Sequence, residues 1–246
     1  MVATLQGAIL AAGHGERLRK SGGAEVPKPL VELGGQTMLA RQARAMLDAG
    51  AASVLAVVNS ETSRLAAAMK LALPERVRVV VRDTSNSMET MLTLGEFLAP
   101  GWFVASTVDA IVPPAEFARF VAESQRVVSR RDNDRRMAGV LAVTRWRGES
   151  KPLFAEVAVD AATNERSIAR LGGAETALVT AGLYFLSTRI FELSVAARSA
   201  ELGALRNFLG LLLERGMRLG AVEIAGAIDV DDASDLAAAR RAIRSS

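Results

Sequence analysis

The chain has 246 residues, half of them hydrophobic (50%), and contains no cysteine. This length suits one domain with a full core, and the lack of cysteine excludes disulfides, thiolate nucleophiles and cysteine metal sites. No apolar run reaches the roughly 18 residues of a membrane span, and the N-terminus lacks the basic lead-in of a secretory signal. We therefore expect a cytoplasmic protein with no membrane partner.

The charge balance gives little support for nucleic-acid binding. The formal net charge is only +3, and the sequence pI of 9.8 is high because few groups titrate between the carboxylates and the lysines. The sequence contains one cluster of basic residues, but two aspartates within it reduce its net charge and it includes a single aromatic residue. Surfaces that bind nucleic acid favour several stacking rings. We read residues 126–136 as a solvated, mobile loop that could close over an anionic substrate, and we expect no nucleic-acid partner. The basic residues are Arg126, Arg130, Arg131, Arg135, Arg136, Arg145 and Arg147.

Strand-like and helix-like patterns alternate through the first half of the chain. The predicted strands are 5–11, 53–58, 77–81 and 102–107, and the predicted helices are 37–49, 61–73, 88–98 and 114–124. After residue 136 the predicted strands are 137–144, 154–159, 178–186 and 219–224, with helices near 188–197, 202–214 and 233–244. This order predicts an α/β fold: a mostly parallel, twisted sheet with helices on both faces and a small β-rich part.

A glycine-rich loop follows the first predicted strand. Residues 10–18 read LAAGHGERL, and residues 27–30 read PKPL. Glycine lets backbone N–H groups approach a ligand closely, and consecutive N–H groups form an anion site. Arg17 and Lys28 add positive charge beside Gly13 and Gly15. The pattern indicates phosphate binding, although an ordinary strand-to-helix turn would also use glycine.

Three motifs, in order, resemble those of the sugar-phosphate nucleotidyltransferase superfamily. Residues 10–18 with 27–30 resemble its signature, residues 179–186 are similar to its strand beside the acceptor, and residues 229–236 are similar to its C-terminal segment. The resemblance implies a Rossmann-like fold of the glycosyltransferase-A type in one domain, 1–246. Residues 1–125 would form the nucleotide-binding half and residues 137–246 the acceptor-binding half.

The resemblance also implies the reaction and its residues. A nucleoside triphosphate and a small phosphorylated acceptor, foremost a sugar phosphate, would give a nucleotide-linked product and pyrophosphate, with Mg²⁺ as cofactor. Catalysis of this kind depends on positioning and charge neutralisation. Arg17 would hold the leaving phosphates, and Lys28 the reacting ones. The expected nucleotide contacts are Leu10, Ala11, Ala12, Gly13, Gly15, Asn86 and Ser87.

Asp109 and Asp229 are the expected metal ligands, with Asp231 as a further candidate. Mg²⁺ favours one or two carboxylates together with substrate phosphates and water. Each aspartate could instead cap a helix or close a turn. Asn86 and Ser87 also have two possible interpretations: they could recognise a base, or they could cap the start of a helix.

The acceptor half departs from the superfamily pattern. Its sugar-phosphate members carry a Glu-Lys-Pro motif that is missing before residue 179, where Arg170 could replace the lysine and Lys151 could fold in from an earlier loop. Thr180 and Gly182 complete the expected acceptor contacts. Three alternatives stay open: a cytidylyltransferase for phosphocholine, a phosphonate or a polyol phosphate; a molybdopterin-type nucleotidyltransferase; and a nucleotide-binding regulatory domain.

Overall fold

A computed structural model describes residues 4–130, 134–148 and 152–244. Its strands are β1 (Gln6–Ala11), β2 (Glu32–Leu33), β3 (Gln36–Thr37), β4 (Ser53–Val58), β5 (Val77–Val81), β6 (Trp102–Thr107), β7 (Ala110–Ile111), β8 (Met137–Arg145), β9 (Ala155–Val159), β10 (Arg166–Leu171), β11 (Leu178–Ser187), β12 (Arg218–Glu223) and β13 (Ile228–Asp229). Its α-helices are α1 (Glu16–Lys20), α2 (Met38–Asp48), α3 (Ser60–Ala68), α4 (Ser87–Gly95), α5 (Pro114–Arg130), α6 (Ser194–Ser199), α7 (Leu205–Glu214) and α8 (Ala233–Arg244), and short 3₁₀ helices span Lys28–Leu30 and Thr188–Leu193.

One large sheet runs through the molecule. Within the described residues it has nine strands in the order β5-β4-β1-β6-β11-β8-β12-β10-β9. Strands β11 and β10 pair antiparallel with both of their neighbours, so the other strands share one direction. The predicted mostly parallel sheet is confirmed, and the β-rich second part of the chain extends this same sheet.

Helices cover both faces of the sheet, as predicted. Along β1, Ile9 packs in one apolar cluster while Ala8 and Leu10 pack in the other, because successive strand residues point to opposite faces. The first cluster includes buried residues of α2, α5 and α8. The second includes those of α4 and α7. No helix in the described part of the chain is both apolar enough and long enough to cross a bilayer.

One helix differs from the sequence prediction at the cluster of basic residues. Helix α5 continues to Arg130, so residues 126–130 are helical and the predicted loop is wrong there. The reason is the apolar stripe, which extends beyond Val121 to the buried Val128. Residues 131–133, including Arg131, lie outside the described residues.

Strand β10 was not predicted. Its single buried residue is Ile168, and the flanking Ser167 and Arg170 are exposed, so it lacks the apolar run by which inner strands are recognised. It pairs with β9 as a hairpin at the sheet edge. Helix α3 also ends at Ala68, earlier than predicted, and Lys70 just beyond it adopts a left-handed conformation (φ 52°).

Candidate active site

The expected site residues converge on one cavity of about 660 Å³ above the sheet. It lies where loops follow the carboxyl ends of β1, β5 and β6, the edge at which open α/β sheets bind ligands. Its lining contains most of the residues singled out in the sequence: Leu10, Ala12, Gly13, Gly15, Arg17, Lys28, Asn86, Ser87, Asp109, Thr180, Gly182, Asp229 and Asp231. Ala11 is a buried core residue, and neither it nor Arg170 is among the lining residues.

The glycine loop is shaped by close packing on Lys28. Gly15 has a left-handed backbone (φ 62°), and a Cβ there would lie 3.1 Å from the Lys28 Cβ. A Cβ on Gly13 would meet no atom within 4 Å, so its surroundings are open. The buried Asn59 donates a hydrogen bond from Nδ2 to the Ala12 carbonyl (3.1 Å) and caps α3 at Thr62. Asn59 thus fixes the loop, a role not predicted from the sequence.

Lys28 is a buried cation held by two carboxylates. Its side chain is 9% exposed, and Nζ lies 2.8 Å from Asp109 Oδ2 and 3.1 Å from Asp231 Oδ1. Burial opposes the charge, but attraction and hydrogen bonding from both aspartates outweigh burial and raise the pKa of Lys28. The ammonium is therefore stabilised in its charged form and directed at the carboxylates.

Asp231 also binds the second expected cation. Its Oδ2 atom lies 2.5 Å from Arg17 NH1, on the half-exposed side chain that follows the glycine loop. One carboxylate therefore bridges Arg17 and Lys28, and it joins the start of the chain to its C-terminal segment.

A short backbone pairing brings the aspartates together. Strand β13 pairs antiparallel with β7, so that Asp229 lies opposite Ala110. One oxygen from each of Asp109, Asp229 and Asp231 lies within 4.8 Å of the others. The Asp229 carboxylate faces the cavity, and within the described residues no hydrogen bond or ion pair to it is formed.

The electrostatics of Asp229 follow from this crowding. Desolvation by the surrounding protein, followed by the charges of Asp109 and Asp231, raises the pKa of Asp229 well above its usual range, and Lys28 acts in the opposite direction. A convergent, charge-repelled set of carboxylate oxygens matches the hard oxygen donors that Mg²⁺ binds. The residues therefore fit a divalent metal, and the three aspartates would hold it.

Asn86 and Ser87 both act at helix N-termini. Asn86 caps α4 by accepting a hydrogen bond from the Glu89 N–H (3.0 Å). Ser87 Oγ accepts the N–H of Leu205 (2.9 Å), the first residue of α7, and so joins the two helices at the cavity wall. Capping is therefore present at both residues, and both also line the cavity.

The cavity wall that holds the expected acceptor contacts Thr180 and Gly182 is built around an irregularity in β11. The register of β11 shifts between Thr180 and Tyr184. Gly182 lies in this bulge with a left-handed backbone (φ 67°), and a Cβ there would lie 2.7 Å from the Ala110 Cβ and 2.9 Å from Thr107 Oγ1. Only glycine allows β11 to approach β7 so closely.

The structure does not bring Arg170 to this cavity. Its NH2 atom pairs with Glu156 Oε2 (3.0 Å) across the β9–β10 hairpin, and both side chains are more than half exposed. The expectation that Arg170 contacts the acceptor is therefore corrected, because the hairpin lies at the far edge of the sheet. Lys151 lies outside the described residues.

Tyr184 and Arg206 are among the cavity residues that the sequence analysis did not predict. Tyr184 on β11 is only 5% exposed. Burial is the main cause that raises the pKa of its hydroxyl, and the negative charges of Asp229 and Asp109 add to the effect. Arg206 lies in the first turn of α7 and lines the same wall. A positive charge in the first turn of a helix is unfavourable next to the positive end of the helix dipole. This unusual position was the sequence signal that could have identified Arg206.

The fold of this chain has counterparts among solved transferase and pyrophosphorylase structures. The structure is similar to the inositol-1-phosphate CTP transferase from T. maritima, with a TM-score of 0.73, 18% identity, and coverage of 95% of this chain and 91% of that one. It is also similar to a UDP-glucose pyrophosphorylase complexed with UDP-glucose, with a TM-score of 0.75, 14% identity, and coverage of 98% and 99%. At these identities the likeness establishes the fold, as the sequence resemblance implied.

The chain belongs to the MobA-like NTP transferase domain family, which matches residues 7–179. A relative in Rhodococcus opacus (strain B4), 2-C-methyl-D-erythritol 4-phosphate cytidylyltransferase, is 35% identical over 117 residues. That match covers 47% of this chain and 49% of the relative, so the chain spans about half the length of the curated relative it matches.

Proposed function

We propose that this protein is a divalent-metal-dependent nucleotidyltransferase that joins a nucleoside triphosphate to a small sugar phosphate or polyol phosphate and releases pyrophosphate. The observation that carries the proposal is the convergence of the glycine loop, Arg17, Lys28 and the aspartate cluster on one cavity. Family membership supports the class of reaction.

In this proposal each group acts by position and charge. The backbone of residues 10–13 and Asn86 would bind base and ribose, Arg17 the β- and γ-phosphates, and Lys28 the α-phosphate and the attacking acceptor phosphate. An acceptor oxygen would attack the α-phosphorus in line, and the bond to the leaving pyrophosphate would break. Preorganised cations next to the phosphates lower the cost of bringing two anions together.

The metal would be held by Asp109, Asp229 and Asp231. When bound, it would supply positive charge that screens the phosphate oxygens. Residues 1–125 would bind the nucleotide and residues 137–246 the acceptor, with Thr180 and the bulge at Gly182 shaping the acceptor side.

Turnover assays test the proposal directly. Each of the four common ribonucleoside triphosphates would be incubated with Mg²⁺ and a panel of sugar and polyol phosphates, and pyrophosphate release would be measured. We expect one pair to give sustained release that stops in EDTA. Nucleotide binding without release for any acceptor would favour the regulatory-domain alternative.

A second candidate narrows the substrates to CTP and a polyol phosphate. It is favoured by the cytidylyltransferase named as a relative and by the CTP transferase named among structural neighbours. The same panel decides between them: CTP with a polyol phosphate would exceed every sugar phosphate pair. Thermal shift with each triphosphate gives an independent measure, because a ligand that binds the native state raises its stability.

A further inference from the structure

Asp231 forms ion pairs with both of the cations that a polyphosphate would need. Its Oδ2 atom is 2.5 Å from Arg17 and its Oδ1 atom is 3.1 Å from Lys28, so each oxygen serves one cation. Asp109 shares Lys28 but does not contact Arg17. Among the three aspartates of this cluster, Asp231 is therefore the one whose neutralisation removes an ion-pair partner from both Arg17 and Lys28.

Asp231 is held in place by its own turn. Its backbone N–H donates to Asp235 Oδ2 (3.0 Å), and the same oxygen accepts the N–H of Asp232 (3.1 Å). The Asp231 side chain is 21% exposed, so the ion pairs are partly shielded from solvent. Partial shielding strengthens charge pairs relative to those on the open surface.

A polyphosphate without metal meets two obstacles at this site. It must displace the Asp231 carboxylate from Arg17 and Lys28, and it must then remain beside the negative charge it displaced. A divalent cation removes both obstacles, because one of the two Asp231 oxygens, each of which pairs with a cation, also belongs to the aspartate cluster.

We propose that Asp231 makes this site selective for metal-complexed polyphosphates over the metal-free anions. Asp231 acts as an internal substitute for phosphate: it neutralises Arg17 and Lys28 until a divalent cation competes for its charge. This inference rests on the proposed function for the identity of the ligand, but the ion pairs themselves are independent of it.

Calorimetric titration with inorganic pyrophosphate tests the inference. Pyrophosphate would be titrated into the wild-type protein and Asp231→Asn, in EDTA and in Mg²⁺. We expect Asp231→Asn to bind metal-free pyrophosphate at least about tenfold more tightly than wild type, the size of one partly shielded charge interaction. The gain in affinity that Mg²⁺ gives to wild type should shrink in the variant.

Asp232→Asn is the matched control. It removes the same charge one residue along, where the carboxylate bonds Ser234 N (2.8 Å) and Oγ (2.6 Å) and no cation of the site. It should leave metal-free affinity at the wild-type value, which separates the ion-pair effect from a change in net charge. Asp231→Ser provides a second variant, since only the backbone of Asp231 supports the turn.

The outcomes distinguish the inference from the proposed function. If both Asp231 variants are folded by circular dichroism and bind metal-free pyrophosphate no more tightly than wild type, the inference is overturned even where turnover is found. If no triphosphate yields pyrophosphate with any acceptor, the proposed function fails, and the calorimetric comparison still decides the inference.

Discussion

The backbone carbonyl of Asp109 accepts a hydrogen bond from the N–H of Val230, at 3.1 Å. This bond, with the adjoining pairing of Ala110 and Asp229, attaches the C-terminal segment to the loop after β6. The pairing holds the backbones of Asp109 and Asp229 close together, and both residues line the cavity. The aspartate cluster is therefore assembled by main-chain pairing.

Asp229→Asn should have opposite effects on stability and metal use. The raised pKa of Asp229 means that its charged form is disfavoured in the folded protein, so stability falls as pH rises through that pKa. Removing the charge should raise the Tm of the metal-free protein at pH 8. It should also raise the Mg²⁺ concentration for half-maximal activity by about tenfold or more. An unchanged metal titration would exclude Asp229 as a ligand.

Lys28→Ala should reduce turnover by about a hundredfold or more, a typical loss for one group that stabilises developing charge. Pyrophosphate release at saturating substrate measures it. Lys20→Ala is the control, because Lys20 is 77% exposed and pairs with Glu16 on the surface. Turnover of Lys28→Ala equal to that of the control would remove Lys28 from the mechanism.

Gly13→Ala and Gly15→Ala should separate binding from folding. A Cβ at position 13 meets no protein atom within 4 Å, so this variant should keep the wild-type Tm and bind the triphosphate more weakly. Position 15 combines φ 62° with a 3.1 Å approach to Lys28, so this variant should also lose about 1 kcal/mol of stability. Thermal melts and nucleotide titrations on both variants measure the two effects. Equal loss of Tm in both variants would contradict the assignment.

Ser87→Ala should loosen the start of α7. The change removes the acceptor for the Leu205 N–H and should lower the free energy of unfolding by about 1 kcal/mol. Urea denaturation gives the energy, and amide exchange at Leu205 should accelerate. Ser85→Ala is the control: it removes an exposed hydroxyl that accepts a hydrogen bond from Asn86 Nδ2, and it should cost less than about 0.5 kcal/mol.

Acid should weaken the contacts that Glu116 makes with Arg119 and with the Ala225 N–H. Hydrogen bonds from Arg119 and from the Ala225 N–H lower the pKa of Glu116 to about 2, from a usual value of 4.5. A lowered pKa contributes stability above pH 4.5 that is lost as pH falls toward 2. Since Arg119 is 38% exposed, we expect about 1 kcal/mol. Glu116→Gln should be less stable at pH 7 and flatten the acid limb of the stability curve; an unchanged limb would contradict this.

The sequence located several strands because their apolar runs are local signals. β4, β5 and β6 begin and end where predicted. The glycine loop beside the cavity was also located, since glycine spacing and nearby cations are encoded in one short stretch. Strand β10 was less accessible to prediction, because it carries one buried residue, Ile168, and depends on its neighbours for its strand conformation.

The pairing of site residues could not be predicted in the same way. The contact between Ser87 and Leu205 joins segments far apart in the chain, and no local pattern marks it. Arg170 has the right charge and the right place in the motif order, yet its hairpin directs it to Glu156. The bridge from Arg17 to Asp231 likewise depends on the strand pairing that holds the C-terminal segment.

The hydrogen-bonded sheet is continuous beneath the whole cavity, from the strand before the glycine loop to the bulged strand at Gly182. Strand spacing in such a ladder is set by backbone bonds and varies little. In the proposed reaction, the distance between the two reactants would thus be a property of the scaffold, and a longer or wider acceptor would have to be accommodated above the strands. Redesigning what the protein accepts is therefore a matter of changing loops on a rigid base.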